Sequence, residues 1–250
     1  MHQPGPIDKA GAIAPLKNVA ACLDVAQKTI DQPPGVDRLG MFFGPSGYGK
    51  SRGSMYLQNK VQAIYLEVFD FWTRKVFVES LLIELGVVSP RGTIAAMMTQ
   101  ALRLLRDDPN RLLIIDEADK LVDKGFIELV RDIYKGARIP VLLVGEELLP
   151  NKLKAYERCD NRVAAWGMAN PCDLDDARVL ARTYQPRIAI ADDLLDHIVT
   201  QTKGVASRIV ASLNEVAQFA MVHRIERVEL RGYTGTIITG QAPVRSRRAA

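Results

Sequence analysis

The chain has 250 residues, 48% hydrophobic and 25% charged, which allows a buried core and is ordinary for a globular protein. No apolar run approaches the ~20 residues of a membrane span, and the start, MHQPGPIDKAGAIAP, lacks the basic flank and apolar run of a signal peptide, so neither is expected. The net charge of +4 is mild and lies mostly at one end: Arg227, Arg231, Arg245, Arg247 and Arg248 face only Glu226 and Glu229, so residues 226–250 read as a basic, solvated tail.

Leu16, Val19, Ala20, Leu23, Ala26 and Ile30 recur at helical spacing, which predicts an amphipathic helix stopped by DQPPG at 31–35. Apolar strands then alternate with helices. RLGMFF runs into a glycine-rich loop; VQAIYLEVF (61–69), RLLIID, IPVLLVG and RVAAWGM read as four further strands. RKVFVESLLIELG, GTIAAMMTQALRLLRDD, KGFIELVRDIYKGA and NKLKAYERCDN read as helices, with Gly86 stopping the first. Continuous apolar strands of this kind imply a five-stranded parallel sheet covered on both faces, an α/β core. After ANPCD the strand signals cease, and LDDARVLARTY, DDLLDHIVTQTKG and ASRIVASLNEVAQFAMVHRI form three successive helices. The expected organisation is an amino-terminal segment with one helix (1–37), a nucleotide-binding α/β domain (38–170), a small helical domain (171–225) and the tail (226–250).

The loop GPSGYGKS (44–51) carries the chemistry. Gly44, Gly47 and Gly49 let the backbone curl so that successive N–H groups point at one anion. The following helix adds its positive end. Lys50 supplies a charge for the β- and γ-phosphates of ATP, and the Ser51 hydroxyl is a ligand for Mg²⁺. Gly44, Pro45, Ser46, Gly47, Tyr48, Gly49, Lys50, Ser51 and Arg52 are the candidate nucleotide-binding residues. In LLIIDEAD an apolar strand delivers two carboxylates to the edge of the sheet. Asp116 is the candidate to hold Mg²⁺, directly or through water, and Glu117 to polarise the attacking water. Taken alone, the same pair also reads as a charged helix start favoured by the helix dipole. Cys22, Cys159 and Cys172 are odd in number and lack metal spacing, so they read as reduced thiols of a cytoplasmic protein.

GPSGYGKS, LLIIDEAD, the strand IPVLLVG and the terminal helices resemble, over about residues 16–225, an AAA+ ATPase: a P-loop core followed by a helical lid. In that family these stretches are Walker A, Walker B, the sensor-1 strand and the lid. The region around PLKNVAACLDV and the compact lid look most like the transposition-regulator branch, the phage Mu B protein and its TnsC and TniB relatives. The resemblance implies an arginine before the fifth strand that reaches a neighbouring subunit's γ-phosphate; Arg162 matches that place best and Arg158 second. It also implies a lid arginine at the nucleotide, which TKGVASRIVASLNEVA assigns to Arg208. One departure stands out. Sensor 1 is usually Asn, Thr or Ser, whereas here the strand runs into Glu146 and Glu147, which implies slow hydrolysis.

In the transposition branch the polymer is DNA. Arg74 and Lys75 beside Trp72, with Arg91 and Thr93, are the candidate phosphate contacts. Arg74 and Lys75 read equally well as solvated helix-start residues, and Trp72 as a packed one. The resemblance implies self-association into a ring or filament on duplex DNA with little sequence preference, and a transposase as partner. A helicase-loader-type replication ATPase and a protein-only signalling switch are the alternatives.

Overall fold

The computed structural model describes residues 14–33 and 35–241. The chain divides into a larger unit, Lys17–Asn170, and a smaller one made of the described residues of Met1–Leu16 and Pro171–Ala250.

The larger unit opens with α1 (Lys17–Ile30), followed by β1 (Leu39–Phe43), α2 (Lys50–Val61) and β2 (Ile64–Glu67). Next come α3 (Arg74–Glu84), α4 (Ile94–Arg106), β3 (Leu113–Asp116), α5 (Asp119–Asp123) and α6 (Ile127–Ala137). β4 (Val141–Gly145), α7 (Leu149–Leu153), α8 (Glu157–Asp160) and β5 (Val163–Met168) complete it. The five strands form one sheet in the order β2-β3-β4-β1-β5, parallel throughout. The α/β core expected from alternating strands and helices is therefore present.

Strand alternation assigns the two faces. Met41, Ile115 and Leu143 point into one core with Phe77, Leu81, Met97 and Ile133 of α3, α4 and α6. Phe42, Ile114 and Leu142 point into the other with Cys22, Val25 and Leu57 of α1 and α2. Both faces of the inner strands β1, β3 and β4 are buried, so these are apolar up to Asp116 at the end of β3. Truncating Leu143 to alanine in such a centre costs about 2–5 kcal/mol.

Two local expectations change. The second strand is shorter than residues 61–69, because α2 continues to Val61 and Gln62 closes it in the left-handed region (φ 53°). NKLKAYERCDN is two short helices rather than one. Leu153 and Cys159 are both buried, and positions six apart cannot share one face of a continuous helix. The break between α7 and α8 lets both reach the core.

The smaller unit packs α9 (Leu174–Tyr184), α10 (Asp192–Thr202) and α11 (Ala206–His223) around Leu180, Leu195, Ile198, Ile209 and Val216. Strand structure does not cease there. β6 (Ala189–Ile190) pairs in parallel with β7 (Arg227–Val228), two-residue strands too short to carry a sequence period. The segment read as a solvated tail starts with β7 and a 3₁₀ turn at Leu230–Gly232. It continues along α11: Ile238 N–H donates to Ser212 Oγ (2.9 Å), and the Tyr233 ring meets Phe219 edge-on. Arg245, Arg247 and Arg248 lie outside the described residues. Among the described residues no helix is long and apolar enough to cross a membrane.

Candidate nucleotide-binding site

β1 ends at Phe43, and the backbone leaves the sheet through Gly44 (φ 155°), whose N–H donates to Gly145 O (3.3 Å). A Cβ at position 44 would come within 2.9 Å of the Ala169 side chain and 3.1 Å of its carbonyl, so the turn needs glycine twice over. Gly47 and Gly49 both sit at φ 83°, and Gly49 caps α2 without a side chain. The first N–H groups of α2 are thus left to an external acceptor.

Lys50 curls back over this loop. Its Nζ donates to Gly44 O (2.7 Å) and Pro45 O (2.9 Å), which holds the ammonium in front of the helix start. Burial pushes its pKa down, while the carboxylates of Asp116, Glu117, Glu146 and Asp119 favour the charged form.

β4 lies between β1 and β3, so the loop after β1 and the carboxylate ending β3 flank the exit of β4. Asp116 is 1% exposed. Its Oδ2 accepts from the Tyr65 hydroxyl (3.0 Å) and its Oδ1 from the Glu117 N–H (2.9 Å), while the nearby Ser51 hydroxyl favours its charged form. Desolvation raises its pKa, and these hydrogen bonds oppose the rise. Glu117 sits at φ 57°, a conformation that costs a non-glycine residue about 1–2 kcal/mol. The kink turns its side chain out of the strand line, where Oε2 meets Lys120 Nζ at 3.1 Å. Strain of this kind concentrates at functional sites.

The glycine loop, Lys50, and the Ser51 hydroxyl near a buried Asp116 fit a nucleoside triphosphate with Mg²⁺. A hydroxyl, one carboxylate and phosphate oxygens are the donors that ion takes. Pro45, Ser46, Tyr48 and Arg52 lie on the same loop and the first turn of α2, with Ser46 and Arg52 exposed.

Three supporting residues escape a sequence reading. Tyr65 projects from β2, the neighbour of β3, onto Asp116. Asp119, 4% exposed, accepts from the Glu146 N–H (2.6 Å) and so pins the exit of β4; its pKa is raised, first by burial. Gly145 has to be small because a Cβ there would strike the Asp119 carboxylate and Leu149. Asn18, also 4% exposed, donates from Nδ2 to Tyr48 O (2.9 Å) and Asn170 O (2.7 Å). The one legible signal was a polar residue on the apolar face of α1.

Within the larger unit, the candidates Arg162 and Arg158 lie elsewhere. Arg162 immediately precedes β5, at the sheet edge opposite the glycine loop, and its Nη1 contacts Asp37 Oδ1 (3.0 Å) and Oδ2 (2.9 Å). Arg158 is exposed on α8. Arg208 belongs to α11 of the smaller unit, where its guanidinium lies against the backbone of Gly240.

Arg74 opens α3; it donates to Gly125 O (3.1 Å) and covers the Phe126 ring at 5.4 Å. Lys75 pairs with Glu79 at 3.6 Å. Thr93 caps α4 by accepting from Ala96 N (3.2 Å), and Arg91 is exposed just before it. Trp72 is 8% exposed and packs against Phe77 and Phe69. α3 starts at the carboxyl edge, directly after β2. α4 ends where Arg106 donates to Gly136 O, near the start of β4, so its beginning lies toward the carboxyl edge as well. The two helix starts therefore share one side of the sheet.

Residues 35–153 match the family described as an AAA domain. In fold the chain is similar to the Orc1 protein of Aeropyrum pernix in complex with DNA (TM-score 0.64, 14% identity, 89% of this chain and 65% of that one). It is similar to Cdc6p of Pyrobaculum aerophilum (0.64, 17%, 90% and 66%) and to a Walker-type ATPase of Pyrococcus abyssi (0.61, 16%, 83% and 68%). The chain thus spans about two thirds of the length of these structures. No curated protein matches it significantly. Over residues 35–153 the chain is similar to an AAA domain, and its α/β core has the fold of the AAA+ ATPases.

Proposed function

We propose that this protein is an ATP-hydrolysing AAA+ switch that assembles on duplex DNA, with target selection and transposase activation as its role. The observation that carries the ATPase reading is the meeting of Lys50, Ser51 and Asp116 at the exits of β1 and β3, with Glu117 kinked beside them. Lys50 and the loop N–H groups hold the phosphates. Ser51 and Asp116 hold Mg²⁺, which when bound neutralises charge on the phosphate oxygens. Glu117 orients and deprotonates water. Glu146 brings a negative charge where a neutral donor would help, so turnover is slow and the bound state long-lived.

Arg162 cannot serve the nucleotide of its own subunit, because β5 separates its edge from the glycine loop by roughly 17–20 Å. A neighbour's nucleotide is its target, with Arg158 second, and self-association into a ring or filament follows. Arg208 is the lid's contribution. Arg74, Lys75 and Arg91, with Thr93, lie on one side of the sheet and grip DNA phosphates without reading bases.

A replication-type ATPase is the second reading, favoured by the fold shared with an Orc1 protein solved in complex with DNA and with Cdc6p. The test measures assembly and duplex binding with ATP, then adds a transposase or a helicase. A monomer that ignores DNA at every ATP concentration sinks both readings and leaves a protein-only switch.

A further inference from the structure

Arg162 is not idle. Its Nη1 lies within 3.0 Å of both carboxylate oxygens of Asp37, in the segment between α1 and β1. The two side chains are 42% and 36% exposed, so the pair is screened and breakable rather than locked. Beside it stands an unusual group. Tyr134 of α6 is 4% exposed, yet its hydroxyl has no hydrogen-bond partner. A buried hydroxyl left unpaired is unfavourable and calls for a reason. Asp37 and Tyr134 line the same cavity of about 590 Å³. Tyr134 also feels the charges of Arg162 and Asp37, and burial pushes its pKa up to about 12, so it stays a donor.

From these contacts we infer that Asp37 is a positioning residue that latches Arg162 in the unassembled subunit, and that Tyr134 replaces Arg162 as the donor to Asp37 when a neighbour docks. The inference rests on the reading of Arg162 as an arginine that acts across subunits. In the latched state the guanidinium is neutralised and points at its own chain. Docking offers it a more strongly charged partner, the neighbour's γ-phosphate. Arg38, Lys135 and Arg138 line the same cavity, but Tyr134 brings a buried donor that has no other bond to give up when Arg162 leaves. With it, the carboxylate exchanges one donor for another, and the hydroxyl gains the bond it lacks. The latch thus suppresses the cation in single subunits and adds little resistance once assembly begins.

The test follows assembly of the full chain by sedimentation velocity against protein concentration, with Mg²⁺ and a non-hydrolysable ATP analogue, and measures ATP turnover in parallel. Asp37→Asn keeps the shape and weakens the hold, so the assembly midpoint should fall by about two- to fivefold. Tyr134→Phe should raise it by about three- to tenfold, since it removes the donor of the released state. With Arg162→Ala in the background, Asp37→Asn should no longer move the midpoint. An unmoved midpoint for Asp37→Asn, or a shift that persists without Arg162, overturns the latch. If Asp37→Asn does not fold, Tyr134→Phe decides, and an unmoved midpoint there overturns the exchange. If Arg162→Ala assembles and hydrolyses ATP at the parent rate, the trans-acting reading itself fails, an outcome distinct from the failure of Asp37 alone.

Discussion

The side chain of Asn18 and the backbone of Asn170 bond each other reciprocally: Asn18 Nδ2 donates to Asn170 O (2.7 Å), and Asn170 N donates to Asn18 Oδ1 (2.9 Å). The same Nδ2 also donates to Tyr48 O in the glycine-rich loop (2.9 Å). One buried amide on α1 therefore ties the loop to the chain leaving β5. Asn18→Ala should lower the melting temperature by several degrees, since unsatisfied buried groups cost about 1–3 kcal/mol each. It should also weaken ATP binding, because the loop loses a fixed point. Calorimetry showing unchanged ATP affinity would mean that the tether serves stability alone.

The pocket divides binding from turnover. Lys50→Ala should abolish nucleotide binding, because the loop loses the cation held by Gly44 O and Pro45 O. Glu117→Gln should bind ATP normally and lose turnover. Parent-like hydrolysis by Glu117→Gln would remove Glu117 from the base role.

Arg162 tests the subunit boundary. Arg162→Ala should lower turnover with little loss of ATP affinity, by less than the ~10³–10⁵ that trans-acting arginines supply in fast NTPases. Adding a hydrolysis-dead Glu117→Gln chain that retains Arg162 should restore part of the activity. No rescue at any mixing ratio contradicts action across subunits.

DNA binding should require ATP, ignore sequence and weaken steeply with salt. Six neutralised phosphates per assembly imply roughly a 10³-fold loss between 50 and 200 mM salt. Replacing Arg74 and Lys75 together by alanine should flatten that slope equally on every sequence. The basic end is the confounder. A chain ending at Gln241 removes Arg245, Arg247 and Arg248 while keeping the contacts of Tyr233 and Ile238 along α11. If this shortened chain loses binding and the double alanine variant does not, the grip belongs to the end of the chain.

Cys22 and Cys159 are 0% and 1% exposed, and burial raises their pKa to about 12 and about 11. A raised thiol pKa leaves almost no thiolate at pH 8, so neither should react with iodoacetamide until the larger unit unfolds. Mass spectrometry of the native protein after labelling checks this, and rapid alkylation of Cys22 would contradict the burial.

The parallel sheet, the glycine-rich turn after β1 and the acidic pair at the end of β3 were legible in the sequence alone. Their signals are local: apolar strands buried on both faces, glycines where the backbone must turn, and a carboxylate directly after an apolar run. Residues such as Leu113, Ile114 and Ile115 announce their strand because every one of them is buried. The break between α7 and α8 and the two-residue strands β6 and β7 had no such pattern. The supports of the site were equally hidden. Tyr65 reaches Asp116 across 51 residues, Asp37 meets Arg162 across 125, and Asn18 meets Asn170 across 152. No periodicity encodes a pairing between residues so far apart. Only the strand order of the sheet and the packing of α1 on it bring those side chains within reach, because each contact depends on where a distant strand or helix ends.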